Sequence, residues 1–185
     1  MSEIFSLVKM ISHKIKLQSI AARLLVFGFF FMLFSSCGVY NFTGGAIPPN
    51  VKTISIQNIY NESGQGPANL SNIITEKLKA YYQNNTRLLL VKTGGDWQID
   101  GKITGYVTSS VAPKANETSA SNRLTINVMI NFVSEEDEKQ NFNQAFSQYD
   151  DFPGNQTLSQ VETNEIDVIT TKLIFDIFTK TTSNW

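Results

Sequence analysis

Few side chains in this sequence are able to do chemistry. Its one histidine, His13, and its one cysteine, Cys37, both fall early in the 185 residues. Transition-metal sites draw on imidazole and thiolate, and nothing beyond residue 37 supplies either. Carboxylates cluster at Glu135-Glu136-Asp137-Glu138 and at Asp150-Asp151. Neither run alternates oxygen ligands around a glycine turn, as a calcium loop does, and the first reads as a solvated turn. A hydrolase built on paired carboxylates needs them at a set separation, which adjacency in sequence does not provide. Gly-x-Ser-x-Gly elbows, His-Glu-x-x-His helices, phosphate loops and Gly-x-Gly-x-x-Gly turns do not occur. The expectation is a protein that is not an enzyme, with no catalytic residue, no metal and no cofactor.

Cys37 is placed for a different chemistry. Residues 24–34 form an uncharged apolar run, preceded by Lys9, Lys14, Lys16 and Arg23 and followed by Ser35 and Ser36. Eleven residues are too short for a spanning helix, which needs roughly 20. Basic segment, apolar segment and small residues are the layout of an export signal. Met1 and Met10 are both possible starts. The Cys37-Gly38 pair that follows resembles the bacterial lipobox, although Phe34 stands where that motif usually has leucine. The resemblance implies cleavage before Cys37 and acylation of its thiol, and multiple acyl chains anchor a protein stably to a membrane. The expected divisions are a signal peptide at 1–36, a lipidated tether at 37–50 rich in glycine and proline, and a single domain at 51–185.

That domain must supply its own core. The chain is 42% hydrophobic, and a segment of about 150 residues buries roughly two-thirds of its unfolded surface. Without the first 36 residues the net charge is −4, with 11 cations against 15 carboxylates, which argues against nucleic acid as a partner. Val51–Ile59 reads as a strand rich in β-branched residues. Leu70, Ile73, Ile74, Leu78, Tyr81 and Tyr82 follow the spacing of an amphipathic helix. Arg87–Lys92 is a short strand closed by Gly94-Gly95-Asp96. In the next, Trp97, Ile99, Ile103 and Val107 face inward, with Gly101 and Gly105 either admitting a helix or marking a bulge. Arg123–Val133 alternates strictly, and Phe142 and Phe146 share the inner face of a last strand. A second helix spans 157–181, with Thr157 and Gln160 in a capping-box pattern. The order β-α-β-β-β-β-α predicts an α+β two-layer sandwich: a mostly antiparallel four- to five-stranded sheet with two helices on one face.

What remains is surface. Thr104, Tyr106, Asn127, Met129, Asn131 and Asn143 are assigned to the outward sheet face, low in charge and fit either for solvent or for docking. Lys102, Lys114 and Arg123 are the candidate contacts to a partner or to the phosphates of an anionic glycolipid.

Several segments together resemble the LPS-assembly lipoprotein family LptE in its Bacteroidetes-type form. They are Cys37-Gly-Val-Tyr-Asn-Phe-Thr-Gly, Ile47-Pro-Pro-Asn-Val-Lys-Thr-Ile-Ser-Ile, Asn122-Arg-Leu-Thr-Ile and the closing Ser-Asn-Trp185. The resemblance implies a lipoprotein on the periplasmic face of the outer membrane that plugs and helps assemble the β-barrel LptD. That barrel carries lipopolysaccharide to the outer leaflet, and the lipoprotein would touch the glycolipid without making or breaking a bond. The stretch from Thr53 to Gly64 also resembles periplasmic lipoproteins with TolB-like or synthase-activator domains, which would regulate a cell-wall enzyme instead.

Overall fold

The computed structural model describes residues 47–112 and 120–183. All of them belong to one compact unit, Thr43–Trp185. The signal at 1–36, Cys37, most of the tether, Lys114 and Trp185 lie outside the described residues. Among those described, no helix is long and apolar enough to cross a membrane.

Among the described residues nine elements follow one another: β1 (Thr53–Ile56), β2 (Tyr60–Asn61), α1 (Leu70–Asn85), β3 (Leu89–Val91), β4 (Trp97–Val111), β5 (Ser121–Ser134), a 3₁₀ turn (Glu138–Gln140), β6 (Phe142–Pro153) and α2 (Leu158–Thr182). The class is α+β, as read from the sequence. The sheet has six strands rather than four or five, in the order β3-β1-β4-β5-β6, with β2 beside β4. It is also mixed. β1 pairs parallel with both β3 and β4, and β2 pairs parallel with β4. β4-β5-β6 is an antiparallel meander.

Periodicity explains the core. On β5, Leu124, Ile126, Val128, Ile130 and Phe132 are all buried, the side of a period-two strand that faces the helices. Leu70, Ile74, Leu78 and Tyr82 of α1 join them, with Ile166, Ile169, Leu173 and Ile177 of α2. The two helices meet where the Tyr82 and Phe178 rings cross edge to face at 5.2 Å. At the same contact the Tyr82 hydroxyl shares a hydrogen bond with Thr181, both groups buried. Thr157 opens α2, and its backbone N–H donates to Gln160 Oε1 at 2.8 Å.

Two features depart from a plain reading of alternation. The β4–β5 register slips between Ile103 and Gly105, leaving Thr104 as an extra residue. A bulge of this kind reverses which side chains face in. Tyr106, assigned outward from the sequence, is therefore buried, and Val107, assigned inward, is 53% exposed. Gly105 sits opposite Asn127, whose amide Nδ2 would lie 2.5 Å from any Cβ there. The second feature is how the chain passes from β3 to β4, which flank β1 on opposite sides. It crosses the outer face of β1 at Gly95, where a Cβ would fall 2.6 Å from Ser55 N and 2.7 Å from the Ile54 carbonyl carbon. Asp96 then pins the crossing. Its Oδ2 accepts the Lys52 and Thr53 N–H groups at 2.8 and 2.9 Å, and its own N–H donates to Thr53 Oγ1.

Candidate functional site

Among the described residues the sheet has one face under the helices and one face open, and the pairing register places the open face row by row. Lys102 stands beside Met129 and Ala145; Gly105 beside Asn127 and Ser147; Val107 beside Thr125 and Tyr149; Ser109 beside Arg123 and Asp151. Tyr60 pairs with Lys102 and Leu89 with Thr53, so both belong to the same face. The result is a surface of amides and hydroxyls carrying four large exposed groups: Tyr60, Leu89, Val107 and Tyr149, between 46% and 68% accessible. Asn127, Met129, Asn131, Asn143 and Thr104 lie on it as expected, whereas Tyr106 does not.

Its cations are engaged. Lys102 Nζ lies 2.8 Å from Glu62. Arg123 grips Asp151 with both arms, Nε to Oδ1 at 2.6 Å and an Nη to Oδ2 at 2.9 Å. The guanidinium carbon also lies 3.6 Å above the centre of the Tyr149 ring, within cation–π range. The hydrogen bond to Asp151 and then its charge hold Arg123 above its ordinary pKa. Lys102 and Arg123 do not form one site. Arg123 is six residues along β5 from Met129, the partner of Lys102, a separation of about 20 Å at the rise of a strand. Only long-range register brings Arg123, Tyr149 and Asp151 together, so periodicity within one strand carries no sign of the cluster.

Under the helices, two polar pairs are closed off from this face. The Tyr106 hydroxyl donates to Glu162 Oε1 at 2.6 Å; burial first, then that carboxylate, push the phenol up. Glu165 is buried on α2. Burial raises its pKa, the Asn164 hydrogen bond opposes this, and the neighbouring Asp150 charge adds to the rise. Asp150 is in turn paired with Lys172 at 2.8 Å. The described residues also line two open clefts. One, of about 770 Å³, lies between Ala120-Ser121 and Asp151–Gln156; the other, of about 420 Å³, lies between Asp137–Phe142 and Lys180. Neither sets a nucleophile against a base. Among the described residues no three groups of histidine, cysteine or carboxylate gather as metal ligands would.

The chain is similar to several known structures. A hypothetical protein of Chlamydia trachomatis is similar at 8% identity and a TM-score of 0.50, over 69% of this chain and 93% of that one. A minor lipoprotein of Acinetobacter baumannii is 15% identical over 69% of this chain and 90% of its own, with a TM-score of 0.45. Lipoprotein B of Nitrosomonas europaea is 10% identical over 75% and 90%, with a TM-score of 0.46. No curated protein matches the chain significantly. The family profile of LptE, described as Lipopolysaccharide-assembly, matches residues 51–181. That span runs from the approach to β1 to the last turn of α2, so the whole sandwich is covered, and the chain belongs to the LptE family of lipopolysaccharide-assembly proteins.

Proposed function

We propose that this protein is a lipoprotein of the outer membrane, cleaved before Cys37, acylated there, and held on the periplasmic face by the tether at 37–50. Its domain, 51–185, plugs the β-barrel LptD and assists its assembly, and so supports delivery of lipopolysaccharide without catalysing a reaction. Family membership supports the pathway. The observation that carries the docking mode is the open sheet face, where charge is closed into ion pairs and Tyr60, Leu89, Val107 and Tyr149 stand exposed. Interface cores are likewise depleted in charge and enriched in aromatics, and a barrel lumen offers a wall against which such a face fits. Of the candidate contacts, Arg123 is the best formed for a phosphate. Its fork already takes a carboxylate by two parallel bonds, and phosphate uses the same geometry. Lys102 and Lys114 are kept as candidates on charge.

The test is to tag the carboxyl terminus, extract envelopes in mild detergent and identify what co-purifies. A stoichiometric large β-barrel is expected. Recovery of a peptidoglycan synthase instead would overturn the proposal in favour of a regulator of cell-wall synthesis. The same preparation of Cys37→Ala is expected to show an uncleaved, mislocalised precursor, and a mature protein of normal size would remove the acylation step.

A further inference from the structure

α2 ends at a fixed point. Its last residues, Thr181 and Thr182, are buried, and both hydroxyls donate to the Phe178 carbonyl, at 2.9 and 2.7 Å. Ser183 follows with its N–H on the Thr179 carbonyl at 2.9 Å and an extended backbone, φ −93° and ψ 120°. The chain is thus aimed out of the helix from a held position. It emerges at the cleft of about 420 Å³, which Ser183 and Lys180 line on one side and Asp137, Lys139 and Phe142 on the other. Sites of about 300–1,000 Å³ take small organic groups, and this one combines an aromatic ring with two cations. Phe142 is half-buried and stacks on Phe132 at 5.3 Å, and Lys180 Nζ lies 5.8 Å from its ring centre. Lys139 and Lys180 are both exposed. Among the described residues neither forms an ion pair.

Asn184 and Trp185 come next in the sequence. Two residues span at most about 7 Å, so Trp185 sets out from a cleft that Ser183 already lines. We propose that the Trp185 ring docks in this cleft, its face to the ammonium groups of Lys139 and Lys180 and its edge against Phe142. Tryptophan is the side chain whose face attracts a cation best, within roughly 6 Å of the ring. Edge-to-face contact with a second ring is a favoured arrangement, and an aromatic of this size has about 150–250 Å² to bury. The indole N–H is a donor only, and the Asp137 carboxylate supplies an acceptor in the same cleft. Charge therefore matches on both counts, cations to the ring face and an anion to the N–H. Docked there, the ring clasps the end of α2 to the turn that leads into β6. Phe142 packs against the core, so the cleft belongs to the helix side of the sheet. The inference stands apart from the barrel proposal, which uses the other face, and neither requires the other.

The test uses the full chain in detergent extracts of its own envelope. Lysines are labelled with a limiting amine-reactive acylating agent, and the rate at each is read by mass spectrometry. Trp185→Ala is expected to speed labelling of Lys139 and Lys180 severalfold, while exposed Lys92 keeps its rate and reports an intact fold. The reciprocal measurement follows the ring. Emission from Trp185 is taken as wild type minus Trp185→Phe, so that buried Trp97 and any tryptophan of a partner cancel. It is expected to resist acrylamide quenching severalfold better in the native protein than in urea. Lys139→Glu combined with Lys180→Glu, both on the surface, should remove that resistance. Unchanged labelling in normally abundant Trp185→Ala overturns the proposal, and so does a ring quenched as readily in the native protein as in urea. Shielding of the two lysines that appears only in extracts containing the barrel would put the ring against the partner, and overturns it too. Co-purification of the barrel is read separately and bears on the docking proposal alone.

Discussion

Asp96 and Glu165 are carboxylates that the fold treats in opposite ways. Asp96 receives two backbone N–H groups, from Lys52 and Thr53, and these hold its pKa below the ordinary carboxylate value. The native state therefore binds that proton less tightly than the unfolded chain does. The stabilisation is complete above the unfolded value of about 3.9 and disappears as pH falls through the lower folded one. Asp96→Asn is expected to unfold at lower denaturant than the wild type at pH 7, with the gap closing in strong acid. Glu165 is raised by burial, and by Asp150 beside it, so the folded state holds its proton more tightly. Its contribution falls as pH rises above the unfolded value of about 4.3. Glu165→Gln is expected to be the more stable protein at pH 7 to 8, and to match the wild type below about pH 4. Denaturant titrations across pH read both signs from one data set. Neither behaviour is visible in the sequence, where Asp96 closes a turn signal and Glu165 is one acid among several on an amphipathic helix.

At the level of elements, what could be read in advance depended on whether pairing was local. β5 alternates over its whole length because both neighbours run antiparallel to it with little interruption, and its inward residues followed from period two alone. β4 obeys the same rule as far as Ile103. There a single extra residue, Thr104, exchanges the roles of Tyr106 and Val107, and the two glycines only hinted at such a break. The parallel pairs of β1 were not legible, since strands of three and four residues give no signal of which neighbour they choose or in which direction. The crossing at Gly95 is the price of that topology, and it depends on a missing side chain. Gly95→Ala would press a methyl group onto the β1 backbone at 2.6 Å. Overpacking costs typically about 1–3 kcal/mol, and at least that loss of unfolding free energy is expected in a denaturant melt. Recovery of wild-type stability in this variant would mean that the crossing can move away from β1.

At the scale of the whole molecule, the division of labour between the two sheet faces decides what variants should do. One face carries the core and sets stability; the other carries exposed groups that touch little within the domain. Leu89→Asp combined with Val107→Asp changes two residues that are 68% and 53% exposed. Surface changes of this kind move stability by roughly 0.5 kcal/mol or less each. The pair is expected to leave the melting curve nearly unchanged while lowering the co-purified barrel at least tenfold. Full retention of the barrel would show that another surface makes the contact. The low charge of this face and its Met129 were legible from alternation, but Val107 and Leu89 were not, because Val107 was assigned to the core and Leu89 to a strand whose place in the sheet was unknown.

The position of β1 also has a mechanical meaning. It is the first strand among the described residues, yet it lies between β3 and β4, both running in its own direction. A pull arriving from the amino-terminal side reaches this strand first and, where it acts along the strand, loads the ladders on its two sides together in shear instead of opening them one bond at a time. At the same end the Asp96 carboxylate holds the N–H groups of Lys52 and Thr53. Tension transmitted from the proposed membrane anchor would thus meet the domain at a clamped strand with neighbours on both flanks, and how long the domain survives such tension is a matter of its unfolding rate.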